Sequence, residues 1–387
     1  MQRMGLRGDE LAAYHRTLQD SHTVTIKVGV LNLAGKTLNS ITPILVSGQV
    51  MVDVEQDVSR ALQIELHDPR HALHFDSRNP SDGALFADRL VRIYYTVHVP
   101  ELERHVTAVP FTGPVNHFER NGDTVSLEAQ GMEALALRPA WRPRTVKKGT
   151  PKVEAIQTFM SDRAGESRFA FPDLQTRLPK PAVLGRRGIP WKRSRKIAST
   201  MNRQLYYPGT GVCTLRRWPQ QPCFTFSTGD GGSLLSDLAI SYTLSEDFAN
   251  VIEVIGGKPR GPKERPRYVA TPDEDHPLSP QNLGRNGVPG YVVETIHRDD
   301  LRSNVECRRV AERALEDRIR ETIEVSADVL PMPHFDEGDL VTYDGLDGAV
   351  TARLRRWVLP LHTEGDPPMS VGYDRNTVIR KRRIRRA

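Results

Sequence analysis

Three stretches of the chain carry residue types that could do chemistry if their side chains converged. His67, His71 and His74 are interleaved with Asp68 and Asp76. Imidazoles and carboxylates bind zinc-like ions when they point at one centre. These residues instead straddle the end of an extended run and a proline-containing loop, so a surface loop is the preferred reading. His334-Phe335-Asp336-Glu337-Gly338-Asp339 has a similar composition, and a turn leading into a strand at Asp339–Tyr343 is preferred there. Gly229-Asp230-Gly231-Gly232-Ser233 is glycine-rich but lacks the Lys-Ser/Thr ending of a phosphate-binding loop, so it reads as a linker. Asp273, Glu274 and Asp275 supply carboxylates, but the separation that glycoside hydrolysis requires is not a property of sequence. No GxSxG elbow, SxxK or catalytic-cysteine pattern occurs. Cys213, Cys223 and Cys307 form an odd, sparse set with no CxxC, which suits buried thiols and not a disulfide framework. The expectation is a non-enzyme without metal or cofactor.

Charge narrows the partners. The chain of 387 residues holds 54 Lys/Arg against 48 Asp/Glu, a net charge of +6. Arg380, Lys381, Arg382, Arg383, Arg385 and Arg386 supply six positive charges with no acid among them. Without this tail the body sums to zero, so a chain-wide nucleic-acid face is not expected; the tail itself is a candidate electrostatic contact. Lys147-Lys148 and Lys192-Arg193-Ser194-Arg195-Lys196 are two further basic stretches. The second falls on an expected helix and reads as its solvated face, and neither shows the aromatic interleaving that base stacking needs. No apolar run approaches the roughly 20 residues of a membrane helix. Residues 1–21 lack the apolar core of a secretory signal, so synthesis in a host cytoplasm is expected.

The elements that must carry these residues are mostly strands. After a polar lead over 1–22, alternation predicts strands at Val24–Val30, Ile41–Val54, Ser59–His67, Leu90–Val99, Val106–Phe118 and Thr124–Gln130. Pro110 and Gly113-Pro114 break the fifth, and Asn121-Gly122-Asp123 signals a hairpin turn. Such spacing indicates a first β-barrel-like domain over 23–138. Residues 139–232 read as a linker (Pro139–Pro151) and a small α+β insert, with helices at Val153–Met160, ended by Gly165, and Trp191–Leu205. Short strands follow at Val212–Leu215 and Cys223–Phe226. Extended patterns return at Ile240–Leu244, Val251–Ile255 and Tyr291–His297, separated by a charged loop, Lys258–Arg267, and an irregular one, Pro272–Pro289. Ser303 and Glu306 form a capping box for a helix over 303–320. Strands at Thr322–Leu330, Asp339–Tyr343, Val350–Leu359 and Ser370–Val378 complete a second barrel-like domain over 233–379, followed by the basic tail 380–387. The expected fold is mainly β: two barrel-like domains separated by a small α+β domain, with one helix packed on the second barrel.

Several runs, taken in order, resemble a known family. Gly48-Gln49-Val50-Met51-Val52-Asp53, Leu62 to Pro69, Asp88-Arg89-Leu90-Val91-Arg92-Ile93 and Phe111-Thr112-Gly113-Pro114-Val115 are similar to the first barrel of phage baseplate hub proteins. Asn250 to Gly256, Val310 to Leu315 and Pro331 to Val341, with Glu337-Gly338-Asp339, look like the second. The family includes late control D-type proteins and the hub part of siphophage tail-tip proteins, and in style the chain resembles a minor tail protein of an actinobacterial siphophage. The resemblance spans roughly residues 25–380 and implies a virion protein. It implies a homotrimer whose paired barrels form a pseudo-sixfold ring, joining tail tube to tip and passing DNA. Implied partners are a distal tail protein, other tail-tip proteins and a tape measure protein. Two other classes compete. A host-surface carbohydrate-binding module would need an aromatic platform, whereas aromatics are 6% of the chain and Trp141, Trp191, Trp218 and Trp357 are scattered. A cell-wall hydrolase would need a site that no motif reveals.

Overall fold

The structure is a computed structural model of the chain. It describes residues 1–374 except 3, 21, 42–43, 72, 74–84, 86–88, 229–231, 237–238, 244–247, 259–263, 300, 320–321, 346–347 and 362–368. The order of elements is α1 (Asp9–Gln19), β1 (Val24–Asn32), β2 (Thr37–Ile41), β3 (Ile44–Asp53), β4 (Arg60–His67), β5 (Arg89–Val99), β6 (Arg104–Asn121) and β7 (Thr124–Gln130). Then come α2 (Glu133–Ala136), β8 (Arg144–Val146), α3 (Lys152–Ala164), β9 (Phe169–Ala170), β10 (Ala182–Leu184), α4 (Pro190–Ser199), β11 (Gln204–Tyr206), β12 (Cys213–Arg216) and β13 (Phe224–Ser227). The last are β14 (Ala239–Thr243), β15 (Val251–Gly256), β16 (Arg267–Ala270), β17 (Val293–Arg298), α5 (Asn304–Arg318), β18 (Thr322–Val329), β19 (Leu340–Gly345), β20 (Gly348–Pro360) and β21 (Met369–Asp374). The fold is mainly β with a small helical insert. Two compact units emerge: Met1–Ala239 with Ser326–Tyr373, and Ile240–Val325.

In the first unit, an antiparallel ladder runs β20-β3-β4-β7-β6-β5-β1-β2, with β19 beside β20 and β13 parallel to β19. The period-two pattern explains its core. Leu90, Val91, Ile93, Tyr95, Val97 and Val99 of β5 are all buried, and Leu62, Ile64 and Leu66 of β4 pack with Val125, Leu127 and Ala129 of the paired β7. The expected hairpin is present, with Gly122 at φ +61° between β6 and β7. The expected break in Val106–Phe118 is absent, since β6 runs unbroken for 18 residues. Proline cannot donate to a ladder, so it survives at bulges and partner changes. Pro110 lies where the β5–β6 register shifts, between Ile93 and Tyr95, and Pro114 is the last β6 residue paired with β5 before Val115 turns to β7.

The expected polar lead is also corrected. Residues 9–19 form a helix because Ala13, Tyr14, Thr17 and Leu18 share one buried stripe; the charged residues around them hide it in sequence. Ahead of it, the Gln2 side chain clamps Val109, donating to its carbonyl at 2.7 Å and accepting from its N–H at 3.0 Å.

The insert has its own core. Ala155, Ile156, Phe159 and Met160 of α3 meet Trp191, Ile197 and Ala198 of α4, with Leu205, Cys213 and Leu215 beneath. Gly165 ends α3 at φ +71°, as expected. The helix expected over Trp191–Leu205 stops at Ser199; Leu205 belongs instead to β11, paired with β12. The stretch read as a linker contains β8, which pairs with β10. The second unit is a three-stranded sheet, β16-β15-β17, in which β15 and β17 are parallel. The helix α5 covers it through Cys307, Ala311 and Leu315 against Ile252, Val254 and Ala270. Its Ser303–Glu306 capping box forms as expected.

Gly113 makes this arrangement sharply testable. A Cβ there would be driven onto the carbonyl oxygen of Gln130. Overpacking against backbone costs about 3 kcal/mol or more when the strand cannot move. Gly113→Ala is expected to lower the thermal midpoint well below that of the wild type. Gly122→Ala, with open space around its Cβ, should bear only the cost of its positive φ.

Candidate functional site

The metal-like motifs resolve into internal clamps. Asp68 is buried, accepting from the Leu73 N–H at 2.9 Å and from Arg120 Nη2 at 2.6 Å. His71 sits at φ +49°, with Nδ1 3.1 Å from Arg120. A guanidinium therefore holds the carboxylate that a cation would need. His74 and Asp76 lie outside the described residues. Among the described residues no group of three or more His, Cys, Asp or Glu is arranged for a metal.

His334–Asp339 is a turn, as read, but it is buried along its whole length. It lies at the centre of an ionic cluster. Arg60 donates to Pro110 O at 3.0 Å and to Asp336 Oδ1 at 3.3 Å, with Glu337 3.8 Å away. Arg216 donates to Asp339 Oδ1 at 3.2 Å and to the Glu337 carbonyl. Its guanidinium lies 4.5 Å from the Tyr206 ring centroid. The Met1 amino group pairs with Asp339. The Asp336 N–H donates to Asp339 Oδ2 at 2.8 Å and closes the turn. Gly338 allows the bend at φ +68°, and a Cβ there would press on Trp218.

Ser59 carries the unusual contact. Its hydroxyl lies 2.8 Å from Glu133 Oε1 and also against Glu337 Oε1. A hydroxyl has one proton to donate. If it donates to one carboxyl oxygen, the other carboxyl must supply the second hydrogen bond, so the two glutamates hold a proton between them. Glu133 is the holder. Burial and the neighbouring Glu337 push its pKa up to about 8. Glu337 is also raised by burial, but Arg60 opposes the shift. His334 is held neutral, lowered far below the ordinary imidazole range by burial and then by His15; the two rings stack with Nε2 atoms 3.2 Å apart.

This cluster is a structural clamp by its chemistry. Ser59, Arg60, Glu133, Asp336, Glu337 and Asp339 are all buried. The nearby thiols are poor nucleophiles, because burial raises Cys213 strongly and Cys223 to about 12. Removing one member of a buried ionic set typically costs about 3–5 kcal/mol.

Arg380, Lys381, Arg382, Arg383, Arg385 and Arg386 lie outside the described residues. The other basic stretches are described. In α4, Lys192, Arg195 and Lys196 are exposed while Trp191, Ser194, Ile197 and Ala198 are buried, the solvated face expected. The tryptophans make no shared platform: Trp191 and Trp357 are buried and Trp218 packs on Gly338. Trp141, however, is 73% exposed, with the Arg186 guanidinium 4.8 Å from its ring centroid. An aromatic ring therefore does stand among the basic residues of this region. A count by segment would have pointed to it: residues 138–203 hold 17 Lys/Arg and four Asp/Glu, a net +13. The neutral body is thus a sum of opposites.

No protein-family model matches the chain, and no curated sequence does. Its fold is shared with phage tail proteins of known structure. The 43 kDa tail protein of prophage MuSo2 from Shewanella oneidensis superposes with a TM-score of 0.59 at 11% identity, over 90% of this chain and 98% of that one. The tail protein from Neisseria meningitidis MC58 gives 0.58 at 10%, over 90% and 96%. The prophage tail protein gp18 from Listeria monocytogenes EGD-e gives 0.53 at 9%, over 92% and 96%. At such identities the likeness is one of fold.

The Glu133 proton gives a pH signature. Its folded pKa of about 8 lies above the ordinary 4.5, so the folded state binds the proton more tightly. The resulting stability is complete below pH 4.5 and is lost as pH rises through about 8. Thermal melts at pH 6 and pH 9 should show a drop for the wild type, on the order of 5 °C. Glu133→Gln, which keeps a neutral donor to Ser59, should show a clearly smaller drop; equal drops would remove the shared-proton account.

Proposed function

We propose that this chain is a structural protein of a phage virion, the hub of a tail tip or baseplate. One observation carries the reading: the likeness to a tail protein runs end to end, over 90% of this chain and 98% of the MuSo2 protein. In the proposal three copies form a pseudo-sixfold ring that joins the tail tube to the tip and lets DNA pass. Its partners are further copies of itself, a distal tail protein, other tail-tip proteins and the tape measure protein. The edge of the ladder supports assembly by strand contact. Among the described residues it ends on β2, and an uncovered edge is a site that isolated proteins protect. The finer assignment, a minor tail protein of an actinobacterial siphophage, rests on the sequence resemblance. The buried clamp suits such a role, since it holds the shape of the unit.

Light scattering on the purified chain should give three chain masses, and images of intact tails should place a ring of three on the tail axis. A monomer both in solution and in the assembled tail would overturn the hub reading. In the same proposal Arg380 to Arg386 bind an acidic neighbour in the tail. Deleting residues 380–387 is then expected to lower the yield of assembled tails; tails assembling at the normal yield would refute that role.

A further inference from the structure

Eight of the 17 Lys/Arg at residues 138–203 lie on one β ribbon. β8 and β10 form an antiparallel pair, Arg144 opposite Leu184 and Val146 opposite Ala182. The pairing continues beyond β8, where Ala140 bonds both Gly188 and Arg187 through the backbone. One arm of this ribbon therefore carries Arg138, Trp141, Arg142, Arg144, Lys147 and Lys148. The other carries Lys180, Arg186 and Arg187. All eight cations are exposed.

Counter-charge is scarce there. Arg144 meets Asp162 at 3.0 Å, and at the far end Arg177 donates to the Gly149 carbonyl. Among the described residues Arg138, Arg142, Lys147, Lys148, Lys180 and Arg187 make no ion pair or side-chain hydrogen bond. Like charges packed this closely repel, and a folded surface keeps them where an external anion compensates. The segregation is sharp: outside residues 138–203 and the tail, 31 Lys/Arg face 44 Asp/Glu.

The second observation is Trp141. A tryptophan 73% exposed would ordinarily be buried or covered, since it has the largest apolar surface of any side chain. Here it stands within the cationic ribbon with Arg186 on its ring. A ring with a guanidinium on one side and cations nearby in the chain offers a π face for a base and charge for its phosphates. An acidic protein surface would satisfy the cations and leave this ring without a counterpart.

We propose that the β8–β10 ribbon binds nucleic acid through its phosphate backbone, with Trp141 as a stacking platform for an unpaired base. The inference does not rest on the hub reading. It is tested on the chain in isolation, so the two can fail separately.

The experiment is fluorescence anisotropy of the full-length protein with labelled single- and double-stranded DNA of about 25 nucleotides at 50 and 200 mM salt. Four phosphate contacts predict a loss of affinity over that range of roughly 50-fold for the single strand and roughly 150-fold for the duplex. The triple variant Arg142→Gln, Lys147→Gln, Lys148→Gln changes exposed residues only, and circular dichroism checks its fold. It should flatten the logarithmic salt slope by about 2–3. Trp141→Ala should weaken single-stranded binding about tenfold and leave duplex binding nearly unchanged. Deleting residues 380–387 should leave the slope as it was. Absence of salt-dependent binding would overturn the proposal, as would a triple variant that binds like the wild type. Equal affinity for polyglutamate of matching charge would do the same and assign the ribbon to an acidic protein.

Discussion

A single proton lodged between Glu133 and Glu337, with the Ser59 hydroxyl as its bridge, lets four carboxylates share a buried space with two guanidinium groups. The constraint is severe, because a buried charge without a partner costs several kcal/mol. The partners come from distant parts of the chain: Ser59 and Arg60 at the start of β4, Glu133 opening α2, Arg216 ending β12, and the turn before β19. No local interaction could hold these segments in mutual register. The cluster admits one arrangement of them, and the ladder β20-β3-β4-β7 is built around that arrangement.

This matters because the first unit is discontinuous. The chain leaves it after Ala239 and returns at Ser326. An excursion of that length adds little to the closure entropy, since each doubling of a loop costs only about 0.6 kcal/mol. What the returning segment needs is a specific place to dock. The buried turn provides it through Arg60 and Arg216, and β20 then extends the sheet by pairing Arg356–Pro360 with Gln49–Asp53. The same logic explains why the turn resembles a metal site. It has the carboxylates of one, with arginines in place of the ion.

The charged surface obeys the opposite rule. The clamp pairs its charges and buries them. The β8–β10 ribbon leaves its cations exposed and largely unpaired, and places a tryptophan among them. Within the body, the excess of basic residues at 138–203 is thus balanced by acidic residues elsewhere along the chain. Net charge speaks to solubility and association, whereas its distribution identifies the surface at which association takes place.

Much of the secondary structure could be read from local pattern alone. Alternation located β1, β4, β5 and β7, the Ser303–Glu306 pair started α5, Gly165 ended α3 and Gly122 turned the β6–β7 hairpin. Each of these signals lies within a few residues of the feature it specifies. Local pattern failed at α1, whose buried stripe is interrupted by charge, and in β6, whose prolines are tolerated only because of where β5 and β7 fall. The sequence also contained the charge count that marks residues 138–203, although only the β8–β10 pairing brings Arg186 onto Trp141. Tertiary structure alone decided that His334–Asp339 is a clamp. Its compensating groups lie more than a hundred residues away, so its acidic residues look in sequence like a solvated turn or a ligand set, and only the packing that buries them beside Arg60 and Arg216 tells these apart.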